Sequence, residues 1–173
     1  MSERKPSETK ETTQTDATSS TQPNFVIQRI YIKDASIETP NTPHIFLDEW
    51  KPQMEIELQN RSQQIATDTH EVILRIMLTT KVKDKVAFMI EIQQAGIFSV
   101  HNATTEQLGP IIGSYCPSIL FPYAREAIAS FSMNAGFPPI HLAPVNFDAA
   151  YQQYQHNMQE DAANATDAEE TQH

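Results

Sequence analysis

The stretch that decides the fold runs from residue 71 to residue 101 and reads EVILRIMLTTKV (71–82), KDK (83–85) and VAFMIEIQQAGIFSVH (86–101). The first run is apolar at most positions, which is typical of a strand with both faces covered. In the last run Phe88, Ile90 and Ile92 share one face, and Met89 and Glu91 share the other. Because only a short polar turn separates them, the two runs are predicted to pair as antiparallel strands.

Two more strands are predicted before this hairpin. Residues 25–34 are rich in Ile, Val and Tyr. Residues 54–59 alternate strictly, so that Met54, Ile56 and Leu58 share one face and the acidic side chains lie on the other. Short connections favour a four-stranded antiparallel meander, in which each strand pairs with the next one along the chain.

Helices are predicted after the strands. Thr104 and Gln107 have the spacing of a capping box, which indicates a helix start. A longer helix ends before Gly136, and a last helix begins near Asn146 or Asp148. Strands followed by helices predict an α+β fold, with a four-stranded antiparallel meander sheet followed by a long helix and a C-terminal helix.

Polar segments flank this domain on both sides. Residues 1–23 are rich in Thr, Ser, Gln and Glu, and residues 157–173 contain five acidic and no basic residues. Segments of this composition bury too little apolar surface to offset the entropy of ordering, so both are predicted to be disordered. The ordered domain is expected to span residues 24–156.

Charge and composition exclude several classes of partner. The formal net charge is −10, which argues against nucleic-acid binding and against an anionic membrane surface but allows basic protein partners. The single cysteine, Cys116, fits a reducing compartment. No apolar run has a membrane helix's length, and the first residues are too polar for a signal peptide. A cytosolic protein is expected.

Catalytic and cofactor motifs find no support. The segment GPIIGS (109–114) lacks the spacing and the lysine of a phosphate-binding loop. No histidine is paired with another His or Cys at metal-ligand spacing, and Cys116 in the sequence YCP is interpreted as a small buried residue. An enzyme is therefore not expected, and neither cofactor nor metal is predicted.

An acidic patch indicates function more specifically than the catalytic motifs do. Asp34 and Glu38 are four residues apart, the spacing of a pair on one strand face, and a solvated acidic face explains them better than a catalytic pair. Glu91 beside Met89 extends the patch on a neighbouring strand. An acidic surface that contains an apolar residue is typical of a docking site for a basic partner. The apolar excess of residues 71–82 leaves surface for a subunit interface, a groove or covering loops.

Several segments in order resemble the SecB family of bacterial protein-export chaperones. They are FVIQRIYIKD (25–34), PNTPHIF (40–46), EIQQAGIF (91–98), YCPSILFPYARE (115–126) and LAPVNFD (142–148). The resemblance covers the whole predicted domain. It implies a homotetramer, a dimer of dimers with sheets outside and long helices between the dimers, and a chaperone with no catalytic activity. Members hold unfolded precursor proteins without ATP and pass them to the translocation ATPase SecA.

The resemblance also implies site residues. The SecA contact maps onto Asp34, Glu38, Met89 and Glu91, where Met89 replaces the family's Leu with conserved volume. Strand positions associated with assembly and client binding are Phe88, Ile90, Ile92 and Gln94. Residues that line client grooves by position are Trp50, Met54, Ile56, Leu58, Phe98, Phe137, Ile140, Leu142 and Val145.

Two departures from the family pattern concern the grooves: Ile37 stands where an aromatic residue is common, and residues 137–141 read FPPIH. A related holdase that serves a toxin–antitoxin system is one alternative function. A carrier of lipids or other apolar small molecules is another.

Overall fold

Four long strands form one antiparallel sheet in the computed structural model, which describes residues 23–170, the last ten of them by backbone alone. The strands are β1 (Asn24–Glu38), β2 (Gln53–Ala66), β3 (Thr69–Val82) and β4 (Lys85–His101). Residues 83–84 join β3 to β4, and positive φ angles at Lys83 and Asp84 fit the two-residue turn that hairpins favour. The predicted hairpin is confirmed.

The strand order corrects the predicted meander. It is β1-β4-β3-β2, so β1 pairs with β4 instead of β2. The reason lies in the connection from β1 to β2, residues 39–52, which contains a short 3-10 helix, His44–Leu47. A link of this length crosses the end of the sheet, whereas the two-residue links of the other strands force neighbours to pair. Both β1 and β2 are consequently edge strands.

The helices follow the strands: α1, a π-helical turn and α2 are continuous along the chain, and α3 is separate. They are α1 (Thr105–Pro110), a π-helical turn (Ile111–Tyr115), α2 (Cys116–Asn134) and α3 (Phe147–Glu170). The predicted capping box is confirmed, since the Thr104 hydroxyl accepts from the Gln107 amide at 3.3 Å and the Gln107 side chain accepts from the Thr104 amide at 3.0 Å. The Asn146 side chain caps α3 by accepting from the Ala149 amide at 3.0 Å.

The ends of the domain stay predictions. The N-terminal tail lies outside the described residues except for Pro23. On the C-terminal side, α3 runs without a break across residue 156, where the sequence predicts the ordered domain to end. Its Ala, Gln and Glu residues are good helix formers, and no glycine or proline interrupts them.

Helix α2 covers one face of the sheet, and this positions the core. The even-numbered residues of β3 from Val72 to Val82 are buried, and in β4 Phe88, Ile90 and Ile92 point the same way. They pack against α2 residues such as Leu120. The opposite face, here called the open face, carries half-buried side chains at the odd-numbered positions of both strands. Among them are Ile73, Arg75, Met77, Met89, Glu91 and Gln93.

One buried polar atom in this core is unpaired. The Thr80 side chain is 0 % exposed, and among the described residues its hydroxyl oxygen has no hydrogen-bond partner. Replacing Thr80 by Val keeps the shape and removes the desolvation cost, so we expect the free energy of unfolding to rise by about 1 kcal/mol. Urea unfolding measures it, with exposed Thr105→Val as the control. A loss of stability would mean that the hydroxyl is paired.

Candidate functional site

The structure brings together the four residues predicted to form an acidic docking site. On the paired strands β1 and β4, Glu38 lies opposite Met89 and Asp34 lies opposite Gln93. Residues that face each other across an antiparallel pair lie on the same side of the sheet. Asp34, Glu38, Met89 and Glu91, here called the docking patch, therefore share the open face, away from α2.

A basic residue that the sequence did not reveal, Arg75, lies beside the docking patch. The Arg75 Nε atom of β3 lies 2.6 Å from a Glu91 carboxylate oxygen. This hydrogen bond holds the pKa of the Glu91 carboxyl below its usual range. Because Arg75 neutralises Glu91, the free negative charge of the patch comes mainly from Asp34 and Glu38, which are exposed on β1.

A buried carboxylate lies on the same face and was also missed. Glu71 is 4 % exposed, and its two oxygens lie 2.8 and 2.9 Å from the Lys33 Nζ atom. The Gln63 side chain donates to one oxygen at 2.6 Å, and the Tyr31 hydroxyl donates to the other. These four residues, here called the Glu71 network, tie β1, β2 and β3 together. Burial raises the pKa of the Glu71 carboxyl, but the three donors outweigh burial and leave it below its usual value.

This network predicts acid sensitivity. A carboxyl whose pKa is lower in the folded state stabilises the fold above its unfolded pKa, near 4.5, and this contribution disappears as the pH falls through the folded pKa. We expect Glu71→Gln to be less stable than the parent chain at pH about 7 and to lose less stability on going to pH about 3.5. Urea unfolding at several pH values measures both. Parallel pH profiles for the two proteins would contradict the assignment.

A groove lies on the other side of the sheet, between β2 and α3. Its volume is about 970 Å³, and apolar side chains form much of its wall. They include Leu58, Leu74, Leu108, Ile112, Phe147 and Tyr154. Polar groups come mainly from β2, where the Asn60 side chain donates to the Ile112 carbonyl at 3.2 Å. Among residues 23–160, none of those that line the groove is acidic, although the chain has a net charge of −10.

Two glycines fix the position of the α3 wall. A Cβ atom on Gly113 would lie 2.3 Å from the Tyr151 ring, and one on Gly109 would lie 2.6 Å from its hydroxyl oxygen. The Tyr151 ring therefore lies directly on the backbone of α1 and the π turn, where no larger residue fits. A hydrogen bond from Ser114 to Asp148 joins the same two segments. The sequence did not indicate this role for Gly109 and Gly113, because Tyr151, the residue they contact, is far along the chain.

The residues predicted for assembly, client binding or client grooves fall into four groups. Leu58 and Val145 line the groove, and Met54 and Ile56 are exposed on the same strand as Leu58 without lining it. Trp50 is half-buried against Phe137, at a ring distance of 5.6 Å. The others lie in the core of the protomer, each at most 6 % exposed: Phe88, Ile90, Ile92, Gln94, Phe98, Phe137, Ile140 and Leu142.

The remaining candidate for a reactive side chain is Cys116, and the remaining candidate site would be one for a metal ion. Cys116 is fully buried, as predicted, and burial raises the pKa of its thiol to about 12. Within residues 23–160, no three His, Cys, Asp or Glu side chains come together in a way that suits a metal ion. In the part of the chain that the structure describes, the helices also lack the length and apolar character needed to cross a membrane.

Known proteins resemble the chain over most of its length. The family model described as "Preprotein translocase subunit SecB" matches residues 18–158. A Protein-export protein SecB from Nitrosococcus oceani is 52 % identical over 140 residues, which cover 80 % of this chain and 85 % of the relative. Another from Marinobacter nauticus is 47 % identical over 150 residues, which cover 87 % and 91 %.

A solved structure shares the fold. It is a SecB-like chaperone from Mycobacterium tuberculosis in complex with a ChAD peptide from the HigA1 antitoxin, with a TM-score of 0.60 and 16 % sequence identity. The alignment covers 70 % of this chain and 90 % of that one. The sequence matches and the shared sheet-and-helix architecture agree with the resemblance found in the sequence. The chain belongs to the SecB family of protein-export chaperones.

Proposed function

We propose that the chain is an ATP-independent holdase of the cytoplasm. It binds unfolded precursor proteins, keeps them competent for translocation and delivers them to SecA. The observation that carries this proposal is the groove beside β2. Every residue of β2 is exposed, and its apolar side chains Met54, Ile56 and Leu58 are between 37 % and 49 % exposed.

Strand β2 offers two kinds of contact to an extended client segment. Its outer edge has no neighbouring strand among the described residues, so its backbone groups are available to pair with an added strand. On the α3 side, its Leu58 side chain lines the groove. Backbone pairing tolerates any client sequence, and an apolar groove selects only for unfolded chains, since folded proteins bury such segments. This combination suits a chaperone with many clients.

Assembly as a homotetramer, a dimer of dimers, belongs to the proposal. Helix α2 exposes large side chains on the side away from the sheet, including Tyr123 and Met133 at 52 % each. Exposed apolar residues on a long helix are suited to a subunit interface. Several grooves on one assembly bind a long unfolded chain more tightly than a single groove does, by about 10²–10⁴.

The holding activity is tested by light scattering during gel filtration. We expect an assembly of four 19.5 kDa chains that forms a complex with a denatured polypeptide but not with the same polypeptide once folded. Refolding of the client should slow in proportion to the chaperone added, with no nucleotide present. A monomer or dimer that ignores unfolded protein would overturn the proposal.

The SecA step makes a separate prediction. Because Asp34 and Glu38 carry the free charge of the docking patch, Asp34→Asn with Glu38→Gln is expected to weaken SecA binding about tenfold at low salt. The difference should shrink at about 0.5 M salt, where exposed charges are screened. Calorimetric titration with SecA measures both. Asp68→Asn with Glu106→Gln, the same charge change at exposed positions away from the patch, is the control, and an equal loss there would contradict a local docking site.

Two other functions make different predictions for the same samples. The Mycobacterium tuberculosis neighbour is bound to an antitoxin peptide, and a holdase of that kind would bind clients but not SecA. A carrier of apolar small molecules would retain a stoichiometric lipid in native mass spectrometry.

A further inference from the structure

Strand β1 contains an irregularity at Lys33. Ile32 lies opposite Gln94 and Asp34 lies opposite Gln93, so Lys33 has no partner of its own on β4. An extra residue of this kind is a β-bulge, and bulges change the direction in which the following side chains point. A second irregularity lies at Gln28, so the Lys33 bulge separates residues 29–32 from residues 34–38, and these two segments present opposite sides to the sheet.

The bulge decides which side of the sheet the β1 acids occupy. Before it, the even-numbered Ile32 lies on the α2 side; after it, the even-numbered Asp34 and Glu38 lie on the open face. Side chains alternate along a strand, so removing the extra residue would exchange the two sides. Asp34 and Glu38 would then point toward α2, and Ile37 would leave that side.

Side chains hold the bulge from both faces of the sheet. On the open face, Lys33 itself is bound by both oxygens of Glu71, at 2.8 and 2.9 Å, and Tyr31 donates to the same carboxylate. On the α2 side, the buried Gln94 side chain donates to the Tyr31 backbone carbonyl at 2.9 Å. A bulge disrupts the ladder of backbone hydrogen bonds, so a side-chain donor there stabilises the irregular form.

We propose that Glu71 and Gln94 are positioning residues for the docking patch. They hold the bulge at Lys33 and thereby place Asp34 and Glu38 on the open face beside Met89. The consequence for SecA binding rests on the proposed docking function. The bulge, and the contacts by which Glu71 and Gln94 hold it, do not depend on that function. Neither Glu71 nor Gln94 belongs to the patch itself.

Binding of SecA by variants of the whole chaperone tests the consequence. In the parent chain, Asp34→Asn with Glu38→Gln is expected to weaken binding about tenfold; in a Glu71→Gln chain the same pair should cost less than about threefold. Glu91→Gln should cost the same in both backgrounds, because Glu91 lies on β4, beyond the influence of the bulge. General loosening of the sheet would instead reduce both effects alike.

Two further variants make the test robust. Lys33→Met breaks the same ion pair but keeps the Tyr31 and Gln63 hydrogen bonds to the Glu71 carboxylate, so it is available if Glu71→Gln unfolds. Lys81→Met breaks a more exposed ion pair, Lys81–Glu55 at 2.6 Å, at the opposite edge of the open face. It should leave the effect of Asp34→Asn with Glu38→Gln at its parent value.

Disulfide formation tests the bulge without SecA. Ser36 and Glu91 lie opposite each other on the open face, so Ser36→Cys with Glu91→Cys should cross-link readily. If the contact between Lys33 and Glu71 keeps Ser36 on the open face, adding Glu71→Gln or Lys33→Met should slow cross-linking at least threefold. Unchanged cross-linking would overturn the proposal. Slower cross-linking with no effect of Asp34→Asn on SecA binding would show that Glu71 holds the bulge but that the docking patch does not bind SecA.

Discussion

Replacing Phe98 by alanine is expected to lower the free energy of unfolding by about 3–5 kcal/mol. The side chain is 0 % exposed and stacks on Phe25 at a ring distance of 5.6 Å. It also lies over Gly96, where an added Cβ atom would be 2.6 Å from the ring. Truncation would leave a cavity that these close-packed neighbours cannot fill, and small domains are stable by only about 5–15 kcal/mol.

Urea unfolding measures this loss, and client binding at low temperature separates two roles for the residue. Phe46→Ala is the matched control, because Phe46 is 49 % exposed and its loss should cost much less. We expect the Phe98→Ala protein to hold clients normally wherever it remains folded. A variant that keeps its stability but loses client binding would show that Phe98 contacts clients directly, as its family position suggests.

Local sequence patterns predicted the elements of the fold and the pairing of β2, β3 and β4, but not the place of β1. Alternation and turn residues identify β3 and β4, and the Thr104–Gln107 spacing identifies a helix start, since each depends on neighbouring residues only. The place of β1 next to β4 depends on where a long connection leads, which no local pattern encodes. The bulge does leave a signal: apolar residues occupy even positions at Ile30 and Ile32 but an odd position at Ile37.

The candidate site was predictable to a similar degree. The even spacing of Asp34 and Glu38 predicted that these acids share a face. The ion pairs around the patch join different strands: Arg75 pairs with Glu91, and Glu71 pairs with Lys33. Such pairs depend on register, which the sequence does not reveal before the strand order is known. For the same reason, alternation in β4 could not say whether Phe88 and its neighbours face a client or the chain's own helix.

Replacing Leu58 by glutamate is expected to weaken the binding of unfolded clients at least tenfold while leaving the fold intact. Leu58 lines the groove and is 37 % exposed, so its change removes apolar contact surface without opening the core. Lost apolar contact costs about 1–2 kcal/mol, and a carboxylate dehydrated by the bound client adds to this. A change of about 1.4 kcal/mol corresponds to a factor of ten in affinity.

Ile65→Glu is the matched control for this prediction. Ile65 is an apolar residue of the same strand with 49 % exposure, but it does not line the groove. Fluorescence titration with a permanently unfolded, labelled polypeptide measures both affinities, and binding of SecA without client should be unchanged because Leu58 lies on the other side of the sheet from the docking patch. Equal losses for the two variants would place client binding on the whole edge of β2; no loss for either would move it away from this strand.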